Sequence, residues 1–165
     1  MSGRSVTSEP EAGGGVQPYI LFIVAGTTYA VRSHDVLHME MIDQVTPVPN
    51  VPGFVEGVVF SRGQVVPVIN LRARFGFERA GFDLRTRLVV VQHGDRRIGL
   101  LADDAREFTT IADAAIHPPN EAIRGLNGSY LGGVATIGDR IVLVLNIPAV
   151  VDVASVAAAS STHVL

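Results

Sequence analysis

Acid–base or metal chemistry in this chain would have to come from five histidines, at positions 34, 38, 93, 117 and 163, and from the carboxylates near them. His34 and His38 stand four residues apart with Asp35 beside the first, a spacing that on a helix would place two imidazoles on one face, as a metal site needs. The residues between them lack the glutamate of the zinc-protease pattern, and a strand can begin here, so no metal ligand set is assigned. Asp103 and Asp104 offer two carboxylates, but neighbours on a strand point to opposite faces, and a solvated strand end is expected. Cysteine is absent, which removes thiolate nucleophiles, zinc ribbons, iron–sulfur ligation and disulfides together. There is no G-x-S-x-G elbow, no G-x-x-x-x-G-K-S/T phosphate loop and no strand-linked G-x-G-x-x-G. Acyl transfer, nucleotide hydrolysis and dinucleotide binding therefore lose their usual sequence support, and neither a catalytic set nor a cofactor is expected. Asn127-Gly128-Ser129 matches a glycosylation sequon without the secretory route that would give it meaning.

Arg62 stands apart. It lies at the tip of a glycine turn between apolar strands, and two readings stay open: a solvated turn residue, or an interface anchor of the kind in which Arg is enriched.

The elements that position these groups follow from composition and pattern. A length of 165 residues suits one folded unit, and 47% hydrophobic against 18% charged residues excludes a largely disordered chain. All 13 basic residues are Arg, against 16 acidic ones, and a net charge of -3 lacks the basic excess that phosphate binding requires. No apolar h-region precedes Tyr19, and the longest apolar stretch, Ile141 to Val151, is interrupted by Asn146 and Pro148. Neither export nor a membrane span is expected, and the location expected is the cytoplasm. Residues 1–17 and 153–165 read as flexible tails around a folded part at 18–152.

Within those limits, short Val-, Ile-, Leu- and Phe-rich runs alternate with glycine turns, the pattern of strands. Hairpins are expected at Ala25-Gly26, Gly94-Asp95 and Gly138-Asp139, and a fourth, slightly longer turn at Ser61-Arg62-Gly63-Gln64. Pro67 on the return strand implies that its missing N–H faces an edge or a bulge. Asn70 to Gly76 predicts a short capped helix, Ser33 to Leu37 a single turn, and the proline-rich 44–53 stretch a stiff crossover. Gly57 to Leu71 matches Gly133 to Ile147 without a gap at Gly57/Gly133, Val58/Val134, Val66/Val142, Val68/Val144 and Asn70/Asn146, with the turn glycines displaced by one residue. A similar likeness, with a one-residue adjustment, links the segments near Gly26 and Gly94. The chain is thus expected to hold two related β subdomains that share one hydrophobic core, each too small to bury its apolar faces alone.

These segments together resemble the bacterial chemotaxis coupling protein family, CheW. The likeness is carried by Asp43-Gln44-Val45-Thr46, Pro52-Gly53-Phe54-Val55-Glu56-Gly57-Val58, Ser61-Arg62-Gly63, Val66 to Arg72, Gly138-Asp139-Arg140 and Asn146-Ile147, and it runs from about Tyr19 to Val151. The resemblance implies a mostly β fold of two SH3-like β-barrel subdomains, and an adaptor that joins methyl-accepting chemoreceptor tips to the regulatory domain of the histidine kinase CheA. It also implies that Arg62, with Gly63 in the same turn, matches the coupling arginine, and that Val36, Gly57 and Gly99 match partner-contact positions, Val36 as an exposed apolar group. The chain departs from the family at Phe60-Ser61, where Asn-Leu is usual, and at His38, where an acidic residue is common, so His38 is expected to alter charge pairing with a partner. A non-flagellar, pilus-linked system is one alternative setting. A small-molecule-binding barrel is another reading, against which the bulky alternating Val, Ile and Leu predict a filled interior.

Overall fold

Runs of β-branched and aromatic residues punctuated by glycine form strands here, as their propensities require. The computed structural model describes residues 15–120 and 130–152. Its strands are β1 (Val16–Val24), β2 (Thr27–Arg32), β3 (Val36–Met41), β4 (Val55–Ser61), β5 (Gln64–Asn70), β6 (Arg87–His93), β7 (Arg96–Ala102), β8 (Asp104–Ala112), β9 (Ile116–His117), β10 (Leu131–Ile137) and β11 (Arg140–Leu145). One-turn helices α1 (Leu71–Arg74) and α2 (Ile147–Val150) follow β5 and β11, and 3-10 turns at Ser33–Asp35 and Asp113–Ala115 precede β3 and β9. The fold is mostly β with a few short helices, as expected. Strand β1 begins at Val16, two residues before the expected start. The rest of the expected tails and the Asn127 sequon lie outside the described residues.

The strands form two sheets, in the orders β8-β1-β2-β11-β10-β9 and β3-β6-β7-β5-β4. Each sheet is assembled from both halves of the chain. Strands β1 and β2 of the first half join the second-half sheet through a parallel β2–β11 ladder, Val144 opposite Ala30. Strands β6 and β7 of the second half join the other sheet through a parallel β5–β7 ladder, Val68 opposite Gly99. The internal duplication persists in the registers: β4–β5 shifts between Val55 and Gly57, and β10–β11 shifts at the matching place, between Leu131 and Gly133. Asn70 and Asn146 then cap α1 and α2, accepting the N–H of Ala73 at 3.1 Å and of Ala149 at 3.3 Å.

Three packed clusters explain why the central strands are apolar on both faces. Tyr19, Leu21, Ala30, Ile111, Ala135, Val142 and Val144 fill the inner face of one sheet. Val66, Val68, Leu88, Val90 and Leu101 fill that of the other. Between the sheets lies a shared core that includes Phe22, Tyr29, Ile69, Phe75, Val89, Leu100, Leu145 and Val150. Alternation sends Tyr19 and Leu21 into one subdomain and Ile20 and Phe22 into the shared core, so β1 is buried on both sides. The filled inner faces agree with the sequence expectation and leave no roomy barrel for a ligand at those positions.

The turns show where local chemistry was decisive. Gly94 and Gly138 have φ 64 at the first turn position, as type II′ turns require. Ala25-Gly26 and Arg62-Gly63 have φ 50 and 83 at both central positions, the type I′ form. The β4–β5 turn is therefore a two-residue loop, with Ser61 paired to Gln64, and not the longer turn expected from sequence. The one-residue displacement of the turn glycines between the repeats is this difference in turn type. Pro67 sits on β5, an interior strand of its sheet, at a position where its missing N–H goes unused. Its partner Val58 exchanges both backbone bonds with Thr46 instead, at 2.8 and 2.9 Å, and the β7 ladder begins only at Val68, so the absent N–H removes no ladder bond.

Candidate docking surface

The β4–β5 hairpin is held stiffly from below and offers its tip to solvent. Inward-facing Val59 packs on the subdomain cluster and Ser61 is 4% exposed, while between them Phe60 points outward and is 75% exposed. Val65, directly opposite Phe60, is 65% exposed, and the two form an apolar pair at the base of the turn. Above them Arg62 is exposed, in a left-handed conformation that costs an ordinary residue about 1 kcal/mol. At the other turn of this type the Asp103 carboxylate fixes Ala25 by accepting its N–H at 2.8 Å. An Arg beside an uncovered aromatic–aliphatic pair on a rigid hairpin has the composition of a binding hot spot.

Beneath the tip lies a polar knot. Glu40 Oε2 accepts the Ser61 hydroxyl at 2.5 Å and stands 2.7 Å from His38 Nε2, which is itself 3.2 Å from Ser61 Oγ. Burial works against the Glu40 carboxylate, but the Ser61 hydroxyl, the His38 ring and the charge of Arg62 outweigh it and hold Glu40 below the usual carboxylate range. The trio has the residue types of a nucleophilic triad without its geometry. Ser61 gives its proton to the carboxylate rather than to the imidazole, and its oxygen is buried where no substrate reaches.

The six residues singled out from sequence divide sharply. Arg62 and Gly63 stand together at the exposed turn. Val36 is half-buried against the shared core, because the register shift between Val36 and His38 turns it inward and leaves Leu37, 43% exposed, to face solvent. The expectation of Val36 as an exposed apolar group is corrected accordingly. His38 is largely buried; its side chain is 10% exposed and it contacts Glu40 and Ser61. Gly57, at φ 146, is buried where a Cβ would overlap the Thr46 carbonyl, so it admits the crossover strand. Gly99 is also buried, and a Cβ there would come within 2.7 Å of Leu88 Cδ1. Its close approach is to a side chain of its own subdomain.

The remaining chemistry candidates are structural. His34 lies in a 3-10 turn and His38 in a strand, so they share no helix face. No cluster of three or more potential metal ligands occurs among the described residues. Asp103 is not a solvated strand end: it pairs with Arg72, 2.9 Å from Nε and 2.8 Å from Nη2, while its own N–H donates to Ile23. It thereby pins the β7–β8 bend to the β1–β2 turn and α1. Sequence reasoning also missed Arg74. Its guanidinium lies 3.9 Å from the Phe54 ring centre and 4.9 Å from that of Tyr130, two residues in equivalent places of the repeat, and donates to the carbonyls of Val150, Ala149 and Asp152.

A duplicated two-sheet domain, packed inside and carrying its accessible chemistry on a hairpin tip, defines a binding module. Comparison with known proteins gives the family. The CheW-like domain matches residues 18–155, and the chain belongs to the CheW family. The chain is 32% identical over 143 residues to the chemotaxis protein CheW of Helicobacter pylori, spanning 87% of this chain and 86% of that one. It is 29% identical over 131 residues to CheW of Klebsiella aerogenes, spanning 79% of each. Among solved structures, the scaffolding protein TtCheW from Thermoanaerobacter tengcongensis superposes with a TM-score of 0.78 at 25% identity, over 85% of this chain and 95% of that one. No helix among the described residues is long and apolar enough to cross a membrane.

Proposed function

We propose that this protein is a non-catalytic adaptor of chemotaxis-type signalling, which couples the cytoplasmic tips of methyl-accepting chemoreceptors to the regulatory domain of the histidine kinase CheA. It works from the cytoplasm, recruited to membrane-anchored receptor arrays. Membership of the CheW family and likeness to a solved scaffolding protein support the reading. The observation that carries it is the uncovered Phe60–Val65 pair crowned by Arg62 on a hairpin whose other face is packed. A surface of this kind gains affinity because little is left to order on binding. Val36, Gly57 and Gly99 serve such an interface indirectly, by holding the strands that present it.

The test is Arg62→Glu. Its fold should be unchanged in far-ultraviolet circular dichroism, since the side chain is exposed, while affinity for the cognate kinase regulatory domain or receptor tip falls about thirtyfold, on the order of 2 kcal/mol. Unchanged affinity for both partners returns Arg62 to a solvated turn residue and removes this surface from the coupling role.

A further inference from the structure

The knot beneath the Arg62 turn is built from groups whose charges compete. Ser61 immediately precedes Arg62, and its buried hydroxyl ties the root of the turn to β3 through Glu40. A carboxylate only accepts, so the 2.7 Å contact makes His38 Nε2 the donor and leaves Nδ1 to take up a further proton. We propose that His38, Glu40 and Ser61 form a proton-responsive latch that governs how much positive charge the Arg62 turn presents to a partner. This rests on the docking role of that turn.

The charge balance gives the sign. With a neutral ring, the three groups His38, Glu40 and Arg62 carry 0, -1 and +1, and the carboxylate offsets the arginine. One proton from solvent onto Nδ1 converts the first two into a neutral ion pair, and the tip becomes net positive by one charge. The His38 side chain is 10% exposed and that of Glu40 33%, so solvent reaches the pair from the carboxylate side. Strand β6 sets Val90 opposite His38 and Leu88 opposite Glu40. At its ends stand Arg87, whose guanidinium donates to the carbonyls of Leu84 and Thr86, and His93. The 3-10 turn that leads into β3 contributes His34 and Asp35. Glu40 itself is held below the usual carboxylate range, so its charge persists as the solution is brought from alkaline through neutral pH.

The experiment follows the backbone amide resonances of Arg62 and Gly63 in the full chain from pH 8.5 down to about 5.5. Both should shift along a sigmoid in the wild type and stay flat in His38→Gln. Ser61→Ala keeps the imidazole–carboxylate pair but cuts its tie to the turn, and should shrink the amplitude. Flat wild-type curves, or a sigmoid that survives in His38→Gln, overturn the latch whatever Arg62 does. In parallel, affinity for the cognate kinase regulatory domain should rise about threefold on going from pH 8 to 6.5, and that ratio should fall to about one in His38→Gln. A wild-type ratio of one also counts against the latch, whereas loss of the Arg62→Glu effect alone refutes the docking reading and leaves the titration of the turn standing.

Discussion

The β4–β5 and β10–β11 hairpins are two versions of one element, and they differ where the molecule meets solvent. Both bulge at a buried glycine, both end in an asparagine cap, and both put valines into a subdomain interior. At the tips they part. The first has a type I′ turn with Arg62, an outward Phe60–Val65 pair and a buried Ser61 tied to β3. The second has a type II′ turn with Gly138 and Asp139, pairs Thr136 with Ile141, and turns Arg140 toward Glu107 of β8 at 3.6 Å. What the repeats share maintains the fold, and what separates them is the chemistry exposed to solvent.

Three sets of variants sharpen that contrast. The largest effect is expected at the bulge glycines. Gly57→Ala puts a Cβ against the rigid Thr46 backbone at a left-handed φ and should cost about 3 kcal/mol in urea unfolding. Gly133→Ala overlaps the Ile116 Cγ2 methyl and meets the His117 carbonyl at 3.2 Å, but without the left-handed φ of Gly57, and should cost about 2 kcal/mol. Equal losses would show that the two bulges are held in the same way. Next comes the centre of the repeat, where Arg74→Ala removes a cation shared by Phe54 and Tyr130 and strands the α2 carbonyls. Its cost should be about 2 kcal/mol by guanidinium unfolding, little of it recovered by Arg74→Lys, because an ammonium cannot fork. Full rescue by lysine would reduce the contact to simple charge. The smallest effects are at the caps. Asn70 is buried and also donates to Glu56 at 3.0 Å, so Asn70→Ala should lower the thermal midpoint more than Asn146→Ala, about 1.5 against 0.5 kcal/mol. The reverse order would assign the difference to something other than burial.

The parts legible in the sequence were those decided by neighbours in the chain. Turn glycines, the Asn70 cap and the ungapped repeat all express constraints a few residues long. The strand exchange was not visible, because pairing β2 with β11 depends on which apolar faces meet after collapse, and both faces of β1 and β2 read as core. The exposure of Val36 was misjudged for a related reason. The register shift in β3 exchanges the roles of Val36 and Leu37, and period-two patterning gives no sign of a bulge. Parity within Val59, Phe60 and Ser61 did carry a usable signal, since a strand that buries Val59 must also bury Ser61 and expose Phe60. Contacts such as Arg72 with Asp103, separated by 31 residues, or Arg74 with Val150, separated by 76, leave no local trace.

The exchange of hairpins between the sheets also governs mechanics. A protein made of two self-contained lobes on a linker can swivel, and a push on one lobe is lost in the joint. Here each sheet is completed by strands from the opposite half, so bending one lobe against the other would mean tearing parallel ladders apart. The two parallel ladders and the shared core therefore oppose relative motion of the halves.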